Sequence, residues 1–142
     1  MSEEKTYPEA MTIGELLSVI QKENLTAGGD LYSREGEPYS LEEARSWRGC
    51  YSEPALVMHR GYGFLDAHIL KAYLEHLLRD TFVGWKGGDN TFTENQHVYV
   101  VPNAGSCGIP EEYFPDVYGS YVGLHLSVED GNPYLEFVPL YF

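Results

Sequence analysis

The chain has 142 residues, with 22 Asp+Glu against 9 Lys+Arg and a formal net charge of −13. At 43% hydrophobic and 14% aromatic it carries the material for one core, which excludes an intrinsically disordered chain. No apolar run reaches the ~18–20 residues of a membrane-spanning helix, and so acidic a surface is repelled by nucleic-acid backbones and anionic lipid.

Residues 1–10 read as a polar, flexible tail without the apolar stretch of a signal peptide. Thr12 and Glu15 then form a capping-box pair, and Met11 with Leu16 a hydrophobic staple. Ile13, Leu16, Leu17 and Ile20 recur at helical spacing, so a helix is expected to about Glu23, before Ala27-Gly28-Gly29. Asp30-Leu31-Tyr32 fits a short strand. Ser40 followed by Glu43 repeats the capping-box pattern, so one or two helical turns are expected over 41–46. Pro54–His59 reads as a short buried strand ending at Arg60-Gly61. A second helix is expected from Asp66 to about Arg79, its buried stripe marked by Leu70, Tyr73, Leu74, Leu77 and Leu78. On its wet face Glu75 is spaced to pair with Arg79. A loop over 84–90, a strand over 97–101 and a loop-like stretch over 102–117 follow. Val122, Leu124, Leu126 and Val128 alternate with polar neighbours, Glu129–Pro133 forms a turn, and Tyr134–Leu140 returns as a hairpin, with Pro139 at an edge or outside the ladder. The sum is one compact α+β domain over 11–142. Two main helices pack on a small, mostly antiparallel sheet of four to five strands with a C-terminal hairpin.

The rare cations are the most informative residues. Three of them sit in one local form, a ring residue followed by the cation and glycine: Trp47-Arg48-Gly49, His59-Arg60-Gly61 and Trp85-Lys86-Gly87. Glycine lets backbone approach a ligand, the cation supplies charge and donors, and a ring can stack on a base. Trp47, Arg48, Tyr51, Arg60, Trp85, Lys86, Gly87 and Gly88 are therefore the candidate ligand-binding residues, for a phosphorylated or nucleotide-like molecule. The same motifs also suit core anchors at tight turns. The 84–89 loop is no P-loop, since it follows a helix and no Ser or Thr succeeds Lys86, although backbone amides in such a turn can form an anion nest.

No metal site is expected: His68 and His76 lie too far apart on their helix to chelate one ion, and the cysteines lack ligand spacing. No cofactor is implied. Cys50 lies near Arg48, and Cys107 falls in a small-residue loop, yet neither stands in a nucleophile signature, so no catalytic residue is nominated. Two widely separated cysteines fit a cytoplasmic, reducing setting.

Two segments, Ser46–Leu56 and Thr81–Asp89, resemble small uncharacterised proteins of tailed phages and prophages. Those proteins carry an aromatic-Arg-Gly-x-Tyr segment before a strand, then a helix, then Phe-x-Gly-aromatic-Lys-Gly-Gly. The likeness spans about residues 11–108 and has no counterpart for the C-terminal hairpin. It implies a phage-like setting, the host cytoplasm, and action on the host or its defences. Three readings follow. The first is a non-enzymatic binder that sequesters a small phosphorylated or nucleotide-like ligand. The second is an acidic inhibitor that occupies a basic host protein, such as the nucleic-acid site of a CRISPR-type complex, through Glu35, Glu37, Glu42, Glu43, Glu111, Glu112 and Asp116. The third is a small nucleotide-acting enzyme. Neither direct nucleic-acid binding nor a membrane is expected, and homo-oligomers are compatible with all three.

Overall fold

A computed structural model describes residues 9–33, 36, 38–47, 50–60, 65–83, 88–102 and 121–140, with backbone alone at 46, 47, 50–52, 60, 102, 121, 139 and 140. Two helices, α1 (Ile13–Lys22) and α2 (Ala67–Arg79), accompany eight strands: β1 (Tyr32–Ser33), β2 (Tyr39–Trp47), β3 (Cys50–Arg60), β4 (Phe82–Val83), β5 (Asp89–Asn90), β6 (Tyr99–Pro102), β7 (Tyr121–Glu129) and β8 (Asn132–Leu140). Six strands make one sheet in the order β1-β8-β7-β6-β3-β2, and β4 pairs with β5 as a separate ribbon. The α+β class holds, with more strands than the alternation suggested. The β2–β3, β6–β7 and β7–β8 pairs are antiparallel, while β3–β6 and β1–β8 are parallel.

The helices start where the capping residues place them. Thr12 accepts from the Glu15 amide at 3.2 Å, and Glu15 returns a bond to the Thr12 amide at 2.9 Å. The next two donors of α1 are also used: the Ile13 amide bonds Gln96 O at 2.9 Å and the Gly14 amide bonds Glu94 O at 2.9 Å. Asp66 caps α2 by accepting from the Ile69 amide at 2.8 Å. Ile13, Leu16 and Ile20 of α1 and Ala67, Leu70, Leu74 and Leu77 of α2 are buried. They meet Leu41, Ala44, Leu56, Met58, Val100, Leu124 and Leu126 of the sheet in one core. On the opposite sheet face a smaller cluster joins Ala55 and Tyr99 to Ala10, so the chain engages the domain before the expected tail boundary.

The helical turns expected over 41–46 are not formed. That segment is β2, paired with β3 from Tyr39–Arg60 to Trp47–Cys50. Leu41 pairs with Met58 and Glu43 with Val57, so Glu42 is an extra residue in a bulge. The bulge is the reason for the misreading: it carries Leu41 and Ala44 to the same face at a spacing that mimics a helix. Ser40 caps nothing and bonds the His59 carbonyl at 3.5 Å. The expected strand at 54–59 extends to Cys50–Arg60. The C-terminal hairpin turns through Asp130 (φ 52°) and Gly131 (φ 80°), the positive values of a two-residue type I′ turn. Pro139 stands in the ladder opposite Val122, and β1 covers β8 only at Tyr134 and Leu135, so the other side of Pro139 meets no described strand.

Two substitutions separate helix propensity from this docking. Thr12→Ala removes one arm of the capping box and is expected to cost about 1 kcal/mol. Gly14→Ala gains about 1 kcal/mol in an ordinary helix. Here a Cβ would lie 3.0 Å from the Glu94 Cβ and 3.2 Å from the Glu94 carbonyl that accepts the Gly14 amide. A net loss of stability in urea unfolding is therefore expected, and a gain would show that the 93–96 turn does not hold the start of α1.

Candidate functional site

The candidate residues fall at three places. Trp47 and Tyr51 lie at one end of the β2–β3 hairpin, where Trp47 and Cys50 are Cα partners and Arg48 lies in the connection, outside the described residues. Arg60 is at the far end of β3, opposite Tyr39. At ~3.3 Å per residue the backbone positions of Tyr51 and Arg60 stand roughly 30 Å apart along the strand. The structure does not bring these two ends of the strand together. Trp85, Lys86 and Gly87 lie outside the described residues, and Gly88 is placed just before β5 with φ +87°.

The third location has a built base. Phe82 and Val83 pair with Asn90 and Asp89, so the stretch Gly84–Gly88 joins two antiparallel partners, Val83 and Asp89. The loop expected over 84–90 ends instead in a strand, since Asp89 and Asn90 pair with Val83 and Phe82. The ribbon is tied to the body by rings: Phe92, which is buried, lies 5.4 Å from Phe82, and Phe82 meets the His76 imidazole edge-on at 5.1 Å. His76 is in the last turn of α2, where a carboxylate four residues on can reach it, and its Nδ1 is hydrogen-bonded to the Asp80 carboxylate. That contact leaves Nε2 as the ring's other polar atom, on a side chain 47% exposed. Arg79 in the same turn pairs with Glu75 at 3.7 Å. Beyond the rings Val83 is 70% exposed, an apolar side chain in water beside the Gly84–Gly88 stretch. At Gly88 an added Cβ would meet nothing within 4 Å; its positive φ is what selects glycine there.

His76 is readable in the sequence only as a residue of a wet helix face; its ring contact depends on Phe82 folding back. Arg45 was also missed. It shares a row across the sheet with Ala55, Tyr99, Gly123 and Val138, and its Nε is buried with no hydrogen-bond partner. Of the acidic set, Glu42 and Glu43 are exposed on β2, while Glu35, Glu37, Glu111, Glu112 and Asp116 lie outside the described residues, as does Cys107. Among the described residues no group of three or more His, Cys, Asp or Glu is placed to hold a metal ion. No described helix is long and apolar enough to cross a membrane.

No protein-family model, curated protein or solved structure matches this chain, so a functional reading rests on its own residues.

The ring stack predicts a local effect. Phe82→Ala should speed amide hydrogen exchange at 82–83 and 89–90 by about tenfold or more, leaving Leu56 and Met58 unchanged. Equal acceleration across β3 would show that Phe82 supports the whole core and not the ribbon.

Proposed function

We propose that the protein binds, without turnover, a small phosphorylated or nucleotide-like ligand at the β4–β5 ribbon. The observation that carries this reading is the ribbon's seating. A stretch reading Gly84-Trp85-Lys86-Gly87-Gly88 is closed by the Val83–Asp89 pair and anchored through Phe82 to His76. Lys86 supplies the charge for a phosphate, glycine-rich backbone supplies amide donors, and the His76 imidazole adds a further polar group at the base. The exposed Val83 gives apolar surface against which a planar ring can lie, and Trp85 is the aromatic residue of the adjoining stretch. Trp47, Arg48 and Tyr51 belong to a second location, and Arg60 to a third. Sequestration of a small signal molecule fits the phage-like setting that the resemblance implies, and makes a counter-defence role the natural context.

Native mass spectrometry of protein purified from a bacterial lysate, followed by titration with the mass identified, tests the reading. Loss of a charge-assisted contact costs about 1.5–3 kcal/mol, so Lys86→Ala should weaken binding by roughly 10- to 150-fold, with the fold unchanged by circular dichroism. Arg60→Ala should bind as the parent does. A clean apo mass, or a ligand lost with Arg60→Ala and kept with Lys86→Ala, overturns it.

A further inference from the structure

The contact between His76 and Asp80 decides what the imidazole can offer a ligand. An ionised carboxylate has acceptors and no donor, so their hydrogen bond runs from the His76 Nδ1–H to Asp80. The neutral ring therefore keeps its one proton on Nδ1, and its Nε2 carries a lone pair. Phe82 meets the same ring at 5.1 Å with the planes 69° apart, so the imidazole is held by two neighbours. Its side chain is 47% exposed, and Nε2 is the polar atom left for a ligand. A lone pair is the wrong partner for a phosphate, whose oxygens also accept. Nε2 becomes a donor only when the ring takes up a second proton, and it then brings a positive charge as well. The bond to Asp80 persists in both states, so the whole change falls on Nε2.

We propose that the ribbon takes up a proton at His76 when a phosphorylated ligand binds, so that affinity falls as pH rises. This linkage rests on the ribbon's being a phosphate site, as proposed above, and adds its regulation. Asp80 is the positioning residue: by keeping the proton on Nδ1 it denies the neutral ring any contact with phosphate. Without that carboxylate the neutral ring can carry its proton on Nε2 and donate whatever the pH. The other charged groups around the ring are Glu75 and Arg79, paired at 3.7 Å, Asp89, exposed on β5, and Lys86 of the adjoining stretch. His76→Gln keeps all of them and so isolates the imidazole.

Long-range ¹H–¹⁵N NMR of the full chain at alkaline pH reads the tautomer directly. The His76 proton should be on Nδ1, as at His125, whose Nδ1–H reaches the Glu9 carbonyl at 2.7 Å. Calorimetry then measures affinity for adenosine 3′,5′-cyclic monophosphate, a phosphodiester whose single charge does not titrate near neutrality. In the parent, affinity should fall about tenfold or more from pH ~6 to pH ~8, with proton uptake from the buffer. His76→Gln should bind weakly and equally at both ends of that range. Asp80→Asn, an exposed position, should hold the fall to about threefold or less, since its neutral ring can donate from Nε2. Lys86→Ala should weaken binding at every pH, which tests the underlying reading. No binding of the probe at millimolar concentration, or binding indifferent to Lys86→Ala, overturns that reading and the linkage with it. The linkage alone is overturned by a proton on Nε2 of His76, by affinity that is flat or rises with pH, or by a slope that survives His76→Gln or Asp80→Asn.

Discussion

Ala55, Leu56, Val57 and Met58 are buried in succession, so the middle of β3 has no wet face, and it is also paired on both edges, with β2 antiparallel and β6 parallel. That double burial dictates the layers around it. Leu56 and Met58 need apolar cover on one side, which the α2 leucines and α1 provide. Ala55 needs it on the other, where Tyr99 and Ala10 pack. A parallel partner cannot follow through a tight turn. The crossover from β3 to β6 is where the chain fits α2 and then the β4–β5 ribbon. The ribbon is thus a by-product of the connection that β3 demands, and its rings bind it to the end of α2.

The sheet treats its edges unequally. β2, a long outer strand, holds its free side with charged residues and a bulge, the usual means of discouraging another strand. β1 at the opposite border is two residues long and covers β8 only at Tyr134 and Leu135. β7 is interior at Gly123 and becomes an edge further along, where β6 has not yet begun and Met11 crosses. An edge created inside a sheet by staggered strand ends is bounded by whatever packs beside it, here α1. It becomes a groove where the outer borders are simple rims.

Much of this was readable from local pattern. Thr12 and Asp66 start helices because a long periodic run follows each, and the alternation from Val122 to Val128 with Asp130-Gly131 specifies a hairpin. The same capping pattern at Ser40 misled because no periodic run stands behind it and a bulge counterfeits one turn's spacing. β4 and β5 were invisible: two residues have no period, and their pairing depends on Phe82 finding Phe92 and His76. The aromatic-cation-glycine motif behaved as a local signal. Trp47-Arg48-Gly49 leads into the β2–β3 connection, the Trp85 copy falls between β4 and β5, and the Arg60 copy ends β3. Whether separate copies meet depends on strand length, which hydrophobic alternation did not disclose because Cys50–Glu53 has none.

Net charge is a poor guide to any one place on this surface. The excess of carboxylates is a sum over the chain, whereas at physiological salt a charge is felt over only ~8 Å. At the end of α2 the carboxylates are engaged: Glu75 faces Arg79, and Asp80 holds the His76 ring. Asp89 on β5 is exposed, so the ribbon itself carries a carboxylate as well as the lysine at 86. Pairing within a few ångströms, and not the sum over the chain, decides the local sign.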